Sequence, residues 1–130
     1  MINKYHFAGK LSLSNVNLSK MNYGVVNNST SNITFNSITD ILDDIYHSES
    51  PYISITIRTL DDSTKLIHKG ELNICRDKHG VYDYCVSGSQ NHNFALGLEL
   101  FHLTGKEMAI HIEHLEQKEI KQTKVLEEVS

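Results

Sequence analysis

The amino-acid sequence predicts an α+β fold in which one strand-strand-helix-strand unit is written twice. The two copies are expected to form a β-rich, pseudo-two-fold domain of about six strands and two helices. Three observations predict it: a G-x-L-x-[LI] phrase that recurs, a hairpin that follows each phrase in one register, and a matched closing strand. The first copy covers residues 5–60 and the second 64–115, either side of a turn at Asp61-Asp62. Together they make a single domain over residues 1–116, followed by a charged tail, 117–130. The halves can lie side by side in one sheet or interleave into a small barrel.

The elements follow in order. Gly9, Leu11 and Leu13 recur as Gly70, Leu72 and Ile74, and at the same offset Met21, Tyr23 and Val25 recur as Tyr82, Tyr84 and Val86. Apolar and polar residues alternate through both stretches, the period of a half-buried strand. Asp77-Lys78-His79-Gly80 is a strong turn signal, Asp opening the turn and Gly supplying positive φ; residues 16–20 hold the weaker equivalent place. Pairing Ile74 with Tyr84 and Leu72 with Val86 requires, in the first copy, Leu13 with Tyr23 and Leu11 with Val25. One register serves both hairpins.

A helix follows each hairpin. Ser37 or Thr39 can cap the first, which carries Ile38, Ile41, Leu42 and Ile45 at helical spacing, with Asp40, Asp43 and Asp44 toward solvent. The second has a broader apolar face, Phe94, Leu98 and Phe101 with Leu96, Leu100 and Leu103; Gly97 weakens it and leaves a strand open. Ile53, Ile55 and Ile57 then match Met108, Ile110 and Ile112 as closing strands. The copies differ in length by an insertion within 27–36, read as a polar loop, and loops that break a repeat are where binding residues concentrate. In the tail only Ile120, Val125, Leu126 and Val129 are apolar, so a frayed or disordered segment is expected, the alternative being a helix that docks on a partner.

Composition narrows the functional classes. A net charge of −4 with two arginines, Arg58 and Arg76, argues against general nucleic-acid binding, which needs many phosphate-facing cations. The first residues carry no apolar run and no stretch reaches membrane-spanning length, so a cytoplasmic protein without membrane contact is expected. Without C-x-x-C, Cys75 and Cys85 are expected to remain thiols, since as diagonal neighbours in a hairpin they are poorly spaced for a disulfide. His111 and His114 form an H-x-x-H, but strand alternation puts His111 beside Glu113 and turns His114 to the other face, so no metal site is expected. No catalytic residues and no cofactor are implied: there is no G-x-S-x-G and no phosphate-cradling glycine loop.

What remains is a binding surface. Arg76, His79 and Tyr82 flank the second hairpin turn and combine charge, hydrogen bonding and an aromatic ring on one rigid support. Asn28 and Asn32 in the 27–36 loop form a second candidate surface, and Arg58 is the remaining guanidinium able to bind an anion. The expectation is a non-enzymatic binding or inhibitory protein, acting by blocking a host protein or sequestering a small anionic or nucleotide ligand. Its Asn-, Ile- and Lys-rich composition has the character of small phage or mobile-element proteins, and open sheet edges suggest a homodimer. The alternatives are a small enzyme acting on a phosphorylated or nucleotide substrate with histidine acid/base groups, or a structural assembly protein. A pocket holding two or more histidines beside Arg58 or Arg76 would favour the enzyme.

Overall fold

Strand alternation in the sequence is converted into seven strands and two helices. The structure is a computed structural model, and it describes residues 1–17, 20–28, 33–76, 78, 80–87 and 95–120. The order is β1 (Asn3–Asn17), β2 (Lys20–Asn28), β3 (Ile33–Ser37), α1 (Ile38–Tyr46), β4 (Tyr52–Thr59), β5 (Lys65–Arg76), β6 (Tyr82–Ser87), α2 (Leu96–Leu100) and β7 (Glu107–Leu115), with a 3₁₀ turn Phe101–Leu103 after α2. Neighbours in the sheet run β1-β7-β4-β5-β6-β2-β3, and a further β1–β2 pairing closes the first six into a barrel that leaves β3 outside. Closure across β2 and β6 is seen, among the described residues, in a bridge that sets Lys20 opposite Tyr82.

Both hairpin registers are those the sequence requires: Leu11 faces Val25 and Leu13 faces Tyr23, while Leu72 faces Val86 and Ile74 faces Tyr84. The closing strands pair with each other, Ile55 against Ile112 and Ile57 against Ile110. The inward residues of these strands join Ile38, Leu42 and Ile45 of α1 and Leu96, Leu100 and Leu103 of the α2 region in one buried core. Gly9 and Gly70 allow close strand approach: a Cβ on Gly9 would lie 2.5 Å from the Val26 carbonyl oxygen, and one on Gly70 1.8 Å from that of Ser87.

Four expectations change. The sheet has seven strands rather than about six, because part of the segment read as a polar loop forms β3, paired with β2 from Asn28↔Ile33 to Gly24↔Ser37. The β-branched and aromatic run Ile33-Thr34-Phe35 favours that extended state, and β2 offers the open edge it needs. Asp43 does not face solvent; it is half-buried and ion-paired with Lys20. Among the described residues the second helix and its 3₁₀ turn bury Leu96, Leu100 and Leu103, Leu98 and Phe101 are exposed, and Phe94 lies outside the described residues. The first tail residues pack on the fold, where 117–120 form a helical turn, Ile120 is buried and Glu119 meets the N-terminal amine at 2.5 Å; residues 121–130 lie outside the described residues. Among the described residues no helix is long and apolar enough to cross a membrane.

Candidate functional site

Arg76 ends β5 and Tyr82 begins β6, directly opposite each other. Gly80, at φ 82°, lets the turn fold back, and its carbonyl accepts a hydrogen bond from Arg76 Nη1 at 3.5 Å. The guanidinium then sits 5.3 Å from the Tyr82 ring centroid, and Lys20 Nζ approaches the same ring at 5.9 Å. Two cations thus approach one aromatic ring, Lys20 being paired with Asp43 as well.

Behind the ring lies a polar seam. Tyr82 meets Tyr84 edge-on at 6.4 Å, and Tyr84 meets Tyr46 of α1 at 5.6 Å. Asp43 of α1 accepts from the Tyr84 hydroxyl on one oxygen and pairs with Lys20 on the other. Burial, with the Asp43 carboxylate next, lifts the Tyr84 phenol well above its ordinary value. For Lys20 burial pulls down, but Asp43 more than offsets it and the ammonium is held more firmly than usual. Lys20, Asp43 and Tyr84 therefore latch α1 over the closure of the barrel.

Beside Arg76 opens a cavity of about 150 Å³ between the β5–β6 hairpin and α2. Met21, Val81, Ala95 and Leu98 supply apolar wall, while Cys75, Arg76 and Asp83 supply the polar part. Asp83 is 5% exposed. Its Oδ1 accepts from the Tyr23 hydroxyl at 2.8 Å and the Tyr84 amide at 2.7 Å, and its Oδ2 from the Gly97 amide at 2.5 Å. Burial raises its pKa above the ordinary carboxylate value, opposed by those three hydrogen bonds. The Gly97 bond also explains how α2 begins without a side-chain cap of its own: Ala95 cannot provide one, and Asp83 supplies the acceptor from across the chain. Gly97 has to be glycine, since a Cβ there would lie 2.6 Å from Asp83 Oδ2.

The cysteines lie on this hairpin. Cys75 pairs with Asp83 and donates from Sγ to the Asp83 carbonyl at 3.6 Å, and both thiols are free. Burial, reinforced by Cys85, pushes the Cys75 thiol up to about 12.

Of the residues expected to bind, Arg76 and Tyr82 come together, and His79 and Asn32 lie outside the described residues. Arg58 is not brought to them. It is paired in register with Lys65, meets Asp62 at 3.9 Å, and stands at the far end of β5, roughly 35 Å of strand from Arg76. Asn28 is likewise at the opposite end of β2 from Lys20, about 26 Å along the strand. Sequence reasoning missed Lys20, Asp43 and Asp83. A signal existed for the last: a lone carboxylate within Val81-Tyr82-Asp83-Tyr84-Cys85-Val86 is a charge in an apolar run and calls for buried partners.

Elsewhere, His111 Nε2 meets Glu113 at 3.2 Å on the outer face of β7, whereas His114 turns inward and bonds the Ser50 carbonyl oxygen at 2.7 Å. Among the described residues no group of three or more His, Cys, Asp or Glu is placed to hold a metal ion. Comparison with protein-family models, curated proteins and solved structures finds no match for this chain.

Proposed function

We propose that this is a binding protein for a small anionic ligand, held at the cavity between the β5–β6 hairpin and α2. The observation that carries this reading is the juxtaposition of Arg76, braced on Tyr82 and the Gly80 carbonyl, with a mostly apolar cavity of about 150 Å³. One Arg76 donor is used by Gly80, and a guanidinium has five, so a planar anion can still be met by two. A cavity of this size holds a body about as large as benzene.

Benzoate and 4-methylpentanoate are suitable probes for equilibrium dialysis. Saturable binding is expected, weakened about tenfold or more by Arg76→Ala, the scale of a lost charged hydrogen bond, and unchanged by Arg58→Ala. Equal binding by the Arg76→Ala protein, or none by the native chain, would remove the proposal.

A second reading, obstruction of a protein partner, is favoured by Leu98 and Phe101, each 62% exposed on the surface next to the cavity. We also read the halves as copies of one unit. Support comes from the common hairpin register and from strand exchange in a common register: Gly9 faces Met108 where Gly70 faces Ile53. On that reading the cavity arose where the copies diverged, since Asp83 and Arg76 stand where the first half has Asn22 and Asn15.

A further inference from the structure

We propose that the cavity takes an apolar α-amino acid, its carboxylate on Arg76, its ammonium on Asp83 and its side chain among Met21, Val81, Ala95 and Leu98. This rests on the reading of the cavity as a ligand site and names the class of ligand.

The wall carries charges of both signs. Arg76 offers N–H donors at one edge, and Asp83, whose carboxylate is 5% exposed with the rest of the residue, is among the residues lining the same cavity. A ligand bearing only negative charge meets the first and leaves the second without a partner. A ligand bearing only positive charge meets the reverse problem. A zwitterion answers both, and in an α-amino acid the two charges share one carbon, as a site of this size requires.

Asp83 has room for the extra donor. A carboxylate provides about four lone-pair sites; Oδ1 takes two donors, but Oδ2 takes the Gly97 amide alone among the described residues. A ligand ammonium on Oδ2 would complete the set. It would also supply the positive partner that a carboxylate kept from water lacks here, since the three donors it has are uncharged. The apolar part of the wall suits a branched or aromatic side chain seated in the cavity, with the charged groups of the ligand at its Arg76 edge.

Capping of α2 is the simpler role for Asp83, and it predicts no ligand preference. Ligand-side deletions separate the two without disturbing the fold. The full chain is titrated calorimetrically with L-leucine, L-phenylalanine, 4-methylpentanoate, which lacks the ammonium, 3-methylbutylamine, which lacks the carboxylate, and glycine, which lacks the side chain. One of the two apolar amino acids should bind at least tenfold more tightly than each truncated compound. Arg76→Ala should weaken that amino acid at least tenfold and leave 3-methylbutylamine unchanged. If 4-methylpentanoate binds as tightly as leucine and phenylalanine, the amino-acid assignment fails while the anion site stands. If none of the five binds, or the amine binds as tightly as the amino acids, both are overturned.

Discussion

Asp83 is the residue where folding and the candidate site meet, because one carboxylate accepts from Tyr23, Tyr84 and Gly97 while walling the cavity. Asp83→Asn keeps the shape but replaces an acceptor oxygen with a donor, which must face either the Gly97 amide or the Tyr84 amide. The expected loss is about 1–3 kcal/mol, the cost of an unsatisfied buried group, read by urea denaturation. The pH dependence has a definite sign. Burial holds the native Asp83 pKa above that of the unfolded chain, so the native state keeps its proton longer. This contribution is fully present below the unfolded value near 4 and is lost as pH rises through the native one. The Asn protein should lack that decline; an identical acid limb in both proteins would show that Asp83 does not titrate as described. Cys75 provides a chemical check. With its thiol pushed up to about 12, little thiolate exists at neutral pH, so iodoacetamide at pH 7.5 should label native Cys75 far more slowly than the urea-unfolded chain. Equal rates would contradict the burial of this hairpin face.

At the level of elements, sequence and structure agree where a local pattern decides and part where a distant partner does. Ser37 caps α1, accepting from the Asp40 amide at 3.1 Å, and Leu42 and Ile45 lie on the buried face as their spacing requires. The hairpin registers were legible because inward residues repeat at period two in both hairpins. β3 was not, since Asn and Ser around Ile33-Thr34-Phe35 suggest a loop until the edge of β2 is there to receive it. Asp43 was misjudged because helical spacing puts it outside the Leu42–Ile45 face and gives no sign of Lys20 and Tyr84 waiting there. The pairing of α2 with β5 escaped notice for the same reason: His68 Nε2 meets Glu99 at 2.6 Å with both side chains nearly buried, and Glu99 Oε1 has no hydrogen-bond partner among the described residues. The matched position in the first half is Phe7, which packs on the core. Leaving a buried polar group without its hydrogen-bond partner commonly costs about 1–3 kcal/mol, whereas replacing both partners by apolar groups can be neutral or stabilising. His68→Phe alone should therefore destabilise the protein strongly, and adding Glu99→Leu should recover most of the loss. A double variant no more stable than the single would assign the pair a role beyond this hydrogen bond.

Across the whole molecule, the two halves hold each other rather than standing alone. β1 pairs with β7, and β5 pairs with β4, so the first strand of each half lies against the last strand of the other, and β4 and β7 pair between them. The tyrosines at matched positions repeat this exchange: Tyr23 donates to Asp83 of the second half, and Tyr84 to Asp43 of the first. By itself the second half keeps a lone hairpin, which is marginal in water, and the first keeps β1-β2-β3, but each loses the partners of its closing strand and the opposite side of the core. Cutting between Asp61 and Asp62, in the exposed turn between β4 and β5, removes one covalent link and breaks no barrel pairing. Fragments 1–61 and 62–130 are thus expected to be unfolded alone and to form a 1:1 complex with strand content close to that of the intact chain. The association should be concentration-dependent, because the fragments lose the effective concentration that the turn confers. Circular dichroism of each fragment and of the mixture, with native mass of the mixture, provides the measurement. A fragment that folds alone as a monomer with a sharp thermal transition would refute strand exchange as the basis of stability, and with it the interleaved arrangement that brings β2, β5, β6 and α2 around the cavity.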